Sequence, residues 1–102
     1  MKSIGTLVVA LVAAGAALAQ DKEALYLKGL AASCAQCHGT LGRAHEGATV
    51  PSLAGQPKVA LLSSLQAFKA GTRPATVMHQ LAKGYSDAQI EALATYFAAQ
   101  KK

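Results

Sequence analysis

Apolar residues recur along the chain with the spacing of α-helices, and no stretch alternates like a half-buried β-strand. The first predicted helix begins at about Lys22, with Asp21 as its N-cap, and ends at about Cys37. Its apolar positions follow the i, i+3, i+4, i+7 spacing: Leu27, Leu30, Ala31 and Cys34. This stripe leads directly into a pair of cysteines.

Two further helices are predicted in the C-terminal half. Pro57 suits the first position of a helix over 57–70, and Gly71 supplies its stop. A third helix begins at Ser86, where SDAQ forms a capping box with Gln89. The apolar faces are Leu61, Leu62, Leu65 and Phe68 in the second helix, and Ile90, Leu93, Ala94 and Phe97 in the third. We therefore expect an all-α domain in which the first and last helices cross.

The N-terminal segment 1–19 differs from the rest in composition. Lys2 precedes an uncharged, mostly apolar run that ends in Ala17-Leu18-Ala19. This pattern predicts a secretory signal peptide cleaved after Ala19, followed by one domain over 20–102. A retained anchor is the alternative, but the run is shorter than the roughly 20 residues that span a bilayer. We therefore expect export to the periplasm and no stable membrane insertion after cleavage.

The net charge of the chain is +5, from ten Lys and Arg against five Asp and Glu. A positive charge favours encounter with an acidic partner. The basic residues are dispersed along the chain, so a solvated basic surface without a special partner is an equal alternative. No basic run reaches five residues and aromatics make up 5% of the sequence, so nucleic-acid binding is not expected.

The motif CAQCH at 34–38 carries the candidate chemistry. Covalent haem attachment needs two thiols that add to the vinyl groups of one porphyrin and an imidazole that reaches the iron, and C-x-x-C-H supplies both. The motif predicts one haem c per chain, attached through Cys34 and Cys37, with His38 as an axial ligand. A haem would also supply the buried surface that a domain of this size lacks.

Three other interpretations of the motif are weaker. A thioredoxin-like redox pair belongs to a strand–helix junction, and no strand is predicted. A zinc site would need about two more ligands, for which only His45 and His79 remain. A plain disulfide between Cys34 and Cys37 would leave the following His38 unexplained.

The sixth ligand decides whether the haem only transfers electrons or also binds small molecules. The candidates are His45, Met78 and His79, and His45 lies in a Gly-rich loop soon after His38. Helical phase places one apolar face at Val77, Met78, Leu81 and Ala82, and one polar face at His79, Gln80 and Lys83. We therefore predict Met78 as the ligand, against ordinary core filling, and a His79 that faces solvent or a partner.

With these motifs in place, the chain resembles the small, single-haem, class I bacterial cytochromes c. The resemblance covers nearly all of 20–102 and is carried by AASCAQCHGT, VPSLAGQP, LQAFKAGTRP and YSDAQIEALATYFA. The stretch RPATVMHQLAKGYSDAQI is most similar to the cytochrome subunit of flavocytochrome c sulfide dehydrogenases. The resemblance implies a class I cytochrome c fold, with three main helices wrapped around one covalently bound haem.

The resemblance also implies roles for residues outside the motif. The Pro51 carbonyl is expected to accept a hydrogen bond from the proximal imidazole of His38. Leu53 is expected to pack on the haem, and Tyr96 with Phe97 to lie at the crossing of the terminal helices.

The chain departs from the family pattern at two points. Ala60 stands near a position where related proteins commonly carry a tyrosine that contacts a haem propionate, which leaves Gln56 or Arg73 as substitutes. The sequence contains one C-x-x-C-H, whereas related flavocytochromes can carry two haem domains.

Taken together, the sequence predicts an electron-transfer protein rather than an enzyme. The version implied by the resemblance is a haem subunit that accepts electrons from an FAD-containing, sulfide-oxidising flavoprotein. The alternatives are a freely diffusing periplasmic carrier and, from another class, a haem enzyme or sensor with a labile sixth ligand.

Overall fold

The structure, a computed structural model, describes residues 2–102, with the side chains of residue 12 and of 14–102. Its elements in chain order are α1 (Lys2–Ala32), α2 (Ala35–His38), a 3₁₀ turn (Thr40–Gly42), α3 (Lys58–Ala70), α4 (Met78–Lys83) and α5 (Asp87–Ala98). No strand occurs among the described residues. The predicted all-α class is therefore confirmed.

The first helix differs from the prediction at both ends. It begins at Lys2, so Asp21 lies inside it and does not cap it. The residues before Asp21 are rich in Ala and Leu and include no proline, so nothing interrupts the helix there. At the other end α1 stops at Ala32, and the Cys34 amide donates to the Ala31 carbonyl at 3.1 Å in a separate turn. The boundary after Ala19 stays a prediction.

Within the described part of the chain, no helix combines the length and the apolar character needed to cross a membrane.

The ends of α3 and α5 follow the predicted signals. Gly71 adopts a left-handed conformation, with φ of 76°, and its amide donates to the Phe68 carbonyl at 3.1 Å. The amide of Gln89 donates to Ser86 Oγ at 3.1 Å, and the Ser86 amide donates to Gln89 Oε1 at 2.9 Å. Pro57 lies at the N-cap of α3 and not at its first helical position, so the helix begins one residue later than predicted. Both helices are thus fixed by local chemistry.

The core lies where α5 meets α1 and α3. Ile90 and Leu93 of α5 are fully buried, and Ala31 of α1 and Leu61 of α3 pack with α5. Burying a Leu or Ile side chain contributes about 1.5–3 kcal/mol. The crossing of the first and last helices and the predicted apolar face of α5 are confirmed.

The segment between α2 and α3 is tied to α5. The Gly42 carbonyl accepts from the amides of Leu53 at 2.7 Å and Ala54 at 3.1 Å. A Cβ on Gly42 would lie 2.7 Å from the Phe97 ring, so this close approach requires glycine. The Gly55 amide donates to the Phe97 carbonyl at 2.9 Å. The loop that carries the candidate site residues is therefore held in place.

Candidate functional site

The candidate site begins at the turn between α1 and α2. Cys34 caps α2, and the His38 amide donates to the Cys34 carbonyl at 2.9 Å. Cys34 is half-buried, Cys37 is exposed, and His38 is 8% exposed. One short helix thus carries both thiols and a buried imidazole.

Gly39 follows the imidazole directly and has a backbone that other residues avoid. Its φ is 87° and its ψ is 164°, a region occupied almost only by glycine. A Cβ at this position would lie 1.9 Å from the Arg43 carbonyl oxygen. Sequence reasoning missed this requirement, although a glycine directly after the motif is a visible signal.

The ring of His38 is oriented by one hydrogen bond. Its Nδ1 lies 2.6 Å from the Pro51 carbonyl oxygen. A carbonyl only accepts, so Nδ1 is the donor, and in the neutral imidazole this places the lone pair on Nε2. The contact expected between His38 and Pro51 is present, and it leaves Nε2 free of that hydrogen bond.

The surroundings of the Cys34 thiol disfavour its ionised form. Burial raises the pKa of the Cys34 thiol. A reactive thiol pair needs a lowered pKa at its nucleophile. Cys34 and Cys37 are both free thiols. Together with the absence of strands from the described chain, this disfavours the thioredoxin-like interpretation.

A zinc site is likewise disfavoured. Within the described residues, no group of three or more His, Cys, Asp or Glu side chains is arranged to hold a metal ion. His45, the nearest other imidazole in sequence, is exposed.

Met78 is the first residue of α4, and the structure only partly follows the predicted faces of this helix. Met78 is half-buried and Ala82, one turn later, is fully buried. Val77 and Leu81 are each 49% exposed. Met78 and Ala82 therefore lie on the covered side of this segment, and Val77 and Leu81 lie on its exposed side.

The expectation that the His79 ring faces solvent is wrong, and the alternative that it faces a partner stays a prediction. His79 is half-buried, and its Nδ1 is buried without a hydrogen-bond partner. The helix α4 has six residues and packs against α3. The covered side of so short a helix includes neighbouring positions, so helical phase alone did not separate Met78 from His79.

Arg73 and Gln56, the two side chains expected to contact a haem propionate, each make a hydrogen bond within the protein. The Arg73 guanidinium donates to Ser64 Oγ at 2.7 Å and lies 4.7 Å from the centroid of the Phe68 ring. Gln56 Nε2 donates to the Ser52 carbonyl. Leu53 is half-buried and packs against the hydrophobic core.

The donor set fits a c-type haem. Two free thiols stand at the C-x-x-C spacing, and an oriented imidazole keeps a lone pair on Nε2. Met78 supplies a half-buried thioether, a type of donor that haem iron accepts and that structural zinc sites do not use. Large apolar side chains flank both ligand segments and are open enough to be covered by a macrocycle: Leu41, Val77 and Leu81.

The helical fold and this donor set define a class of proteins that attach haem through C-x-x-C-H. The family described as Cytochrome c matches residues 12–101. The chain therefore belongs to the cytochrome c family.

Relatives of known function include proteins from sulfur metabolism. The thiosulfate dehydrogenase electron acceptor of Thiomonas intermedia is 45% identical over 71 residues, covering 70% of this chain and 33% of that protein. The cytochrome subunit of sulfide dehydrogenase of Chlorobaculum tepidum is 41% identical over 68 residues, covering 67% of this chain and 60% of that protein. The chain thus spans less than two thirds of the length of either relative.

The match to a third relative covers most of that protein's length. Cytochrome c-554(548) of Halomonas halodenitrificans is 36% identical over 72 residues, which cover 68% of this chain and 86% of that protein.

Proposed function

We propose that this chain is an exported c-type cytochrome that carries single electrons through one haem c. Cys34 and Cys37 would attach the haem, and His38 and Met78 would be its axial ligands. The observation that carries the proposal is the buried His38 ring with Nδ1 bonded to the Pro51 carbonyl at 2.6 Å. When bound, the haem supplies a one-electron couple between Fe(II) and Fe(III).

Each site residue has a distinct part in this proposal. The Pro51 carbonyl fixes the His38 ring and raises the basicity of Nε2. Leu53 would pack on the haem and exclude water from it. The Met78 thioether would close the sixth position, which would favour electron transfer over ligand binding and raise the reduction potential relative to a second imidazole.

The segment 1–19 acts as a cleaved signal peptide in this proposal, and the domain over 20–102 works in the periplasm. The apolar run after Lys2 and its small-x-small end support this division. N-terminal sequencing of the exported protein tests it, with Gln20 as the expected first residue.

The proposed electron donor is a dehydrogenase that oxidises a reduced sulfur compound. The names of the Thiomonas and Chlorobaculum relatives support this class of donor. The version we favour is the haem subunit of an FAD-containing sulfide dehydrogenase. Affinity purification of the native protein should retain a flavoprotein, and recovery only as a free monomer would contradict the subunit version.

A freely diffusing carrier is the second candidate. The match to cytochrome c-554(548), which the chain covers to 86%, favours it. In this version the native protein elutes as a monomer, and the rate of its reduction rises with the concentration of the donor.

Haem attachment and the closed sixth position are tested together. The purified protein should keep its haem after acid extraction, and its reduced form should resist carbon monoxide. Loss of the haem on extraction would contradict covalent attachment. Ready binding of carbon monoxide would instead support the haem enzyme or sensor.

A further inference from the structure

Tyr85 connects two parts of the chain that carry candidate haem ligands. It lies between α4 and α5, and its phenol oxygen is 3.0 Å from Ser33 Oγ at the end of α1. Ser33 directly precedes Cys34, and α4 begins with Met78. The Tyr85–Ser33 contact therefore joins the Met78 segment to the cysteine segment.

The direction of this hydrogen bond follows from the partners of Ser33. The Ser33 hydroxyl donates to the Leu30 carbonyl at 2.9 Å. A serine hydroxyl has one hydrogen, so it is the phenol of Tyr85 that donates to Ser33 Oγ. Phenylalanine at position 85 would keep the ring and remove only this donor.

The backbone of Tyr85 is held from another side. Its carbonyl accepts from Lys69 Nζ at 2.8 Å, and the same ammonium pairs with Asp87 Oδ1 at 3.0 Å. Lys69 lies in the last turn of α3. Tyr85 is thus bound to α3 through its backbone and to α1 through its side chain.

The same helix places Met78 at one end and Tyr85 just beyond the other. After α4 the chain continues through a turn in which the Tyr85 amide donates to the Ala82 carbonyl at 3.2 Å. Backbone hydrogen bonds run through α4 and this turn, from the Val77 carbonyl to the Tyr85 amide, so we expect a shift at Tyr85 to displace Met78.

We propose that Tyr85 is a positioning residue: its phenol fixes α4 against the cysteine-bearing turn and so keeps the Met78 thioether on the haem iron. This inference rests on the proposed function, in which Met78 is the axial ligand. Without the phenol hydrogen bond, a larger fraction of molecules has Met78 off the iron and the sixth position open to an added ligand.

Imidazole binding to the oxidised holoprotein tests this inference. Added imidazole displaces Met78, and the loss of the sulfur-to-iron charge-transfer band reports the displacement. Tyr85→Phe should raise the apparent affinity for imidazole about three- to tenfold, as expected for the loss of one neutral hydrogen bond.

Tyr26→Phe is a matched control. The Tyr26 hydroxyl accepts from Gln89 Nε2 at 2.7 Å, so it also joins α1 to another helix, but that helix is α5. The same change of side chain at Tyr26 should leave the imidazole affinity within about twofold of the wild type.

A double-mutant cycle with Ser33→Ala separates the contact from general destabilisation. If the hydrogen bond is the cause, Ser33→Ala raises the affinity by itself, and adding Tyr85→Phe raises it little further. Ser33→Ala also serves alone if Tyr85→Phe does not accumulate as holoprotein.

Two results would overturn the inference in different ways. A normal charge-transfer band in the wild type, with equal imidazole affinity for Tyr85→Phe and Tyr26→Phe, rejects the role of Tyr85 and leaves the proposed function intact. A wild type without the band rejects Met78 as the ligand, and the role of Tyr85 falls with it.

Discussion

At the scale of single residues, the site depends on how closely the chain folds around His38. The imidazole is buried and bonded to Pro51, and Gly39 after it has no space for a side chain. Five positions with positive φ are glycines, but only some of them are also closely packed. Gly39, which is closely packed, and Gly47, which is not, therefore separate the cost of the backbone conformation from the cost of a steric clash.

Gly39→Ala should destabilise the holoprotein by more than about 3 kcal/mol. The new Cβ would meet the Arg43 carbonyl at 1.9 Å, in addition to the cost of about 1–3 kcal/mol for a backbone conformation that suits only glycine. Denaturant unfolding of the purified protein measures the difference.

Gly47→Ala is the control for this prediction. Gly47 also has a positive φ, of 79°, but a Cβ there meets nothing within 4 Å. It should cost about 1–2 kcal/mol, the penalty of the left-handed region alone. Equal losses for the two variants would show that the contact with Arg43 does not matter.

At the scale of helices, the sequence signals at the ends of elements were informative. The Ser86–Gln89 capping box and the helix stop at Gly71 were predicted and are confirmed, because both are local chemistry within a few residues. The start of α1 was predicted wrongly, because the segment before Asp21 is rich in Ala and Leu and the helix continues through the N-cap signal at Asp21.

Ser86→Ala should lower the free energy of unfolding by about 1 kcal/mol. The variant removes the acceptor of the Gln89 amide, and N-cap serines typically contribute about 0.5–2 kcal/mol. Thermal unfolding of the holoprotein measures the change.

Ser63→Ala is the comparison. Ser63 is exposed within α3, where alanine is the better helix former, so stability should stay the same or rise slightly. A loss at Ser63 as large as that at Ser86 would argue against the capping box as the cause.

The long-range contacts of the site could not be read from helical pattern. Tyr85 and Ser33 are 52 positions apart, and neither lies on a predicted apolar face. The sequence pattern gives the phase of α4 but not how much of its surface α3 covers. His79 was therefore assigned to the outer face of α4. The Pro51 contact was expected only from family resemblance, since nothing in the local sequence specifies it.

At the scale of the whole molecule, the protein part of the core is thin. Eight apolar residues are buried among those described, and four of them are alanines. Alanine contributes little apolar area, so small domains of this kind depend on a bound group. The covalent haem is expected to supply that surface.

The double variant Cys34→Ser, Cys37→Ser should therefore lose its cooperative fold. Both attachment points are removed, and the remaining apolar contacts do not offset the entropy of ordering the chain. Circular dichroism should show much reduced helicity and a broad thermal transition. A sharp transition with full helicity would mean that the polypeptide folds without attached haem.

The central claim is that His38 and Met78 together hold one redox-active iron. Comparing Met78→Ala with His79→Ala in the oxidised holoprotein tests it most directly, because the two residues are neighbours and both are half-buried. Met78→Ala should abolish the sulfur-to-iron charge-transfer band and lower the reduction potential by on the order of 0.1 V, within the ~0.8 V that ligation and environment can span. His79→Ala should keep the band. A band that survives Met78→Ala, or disappears only in His79→Ala, would contradict the account.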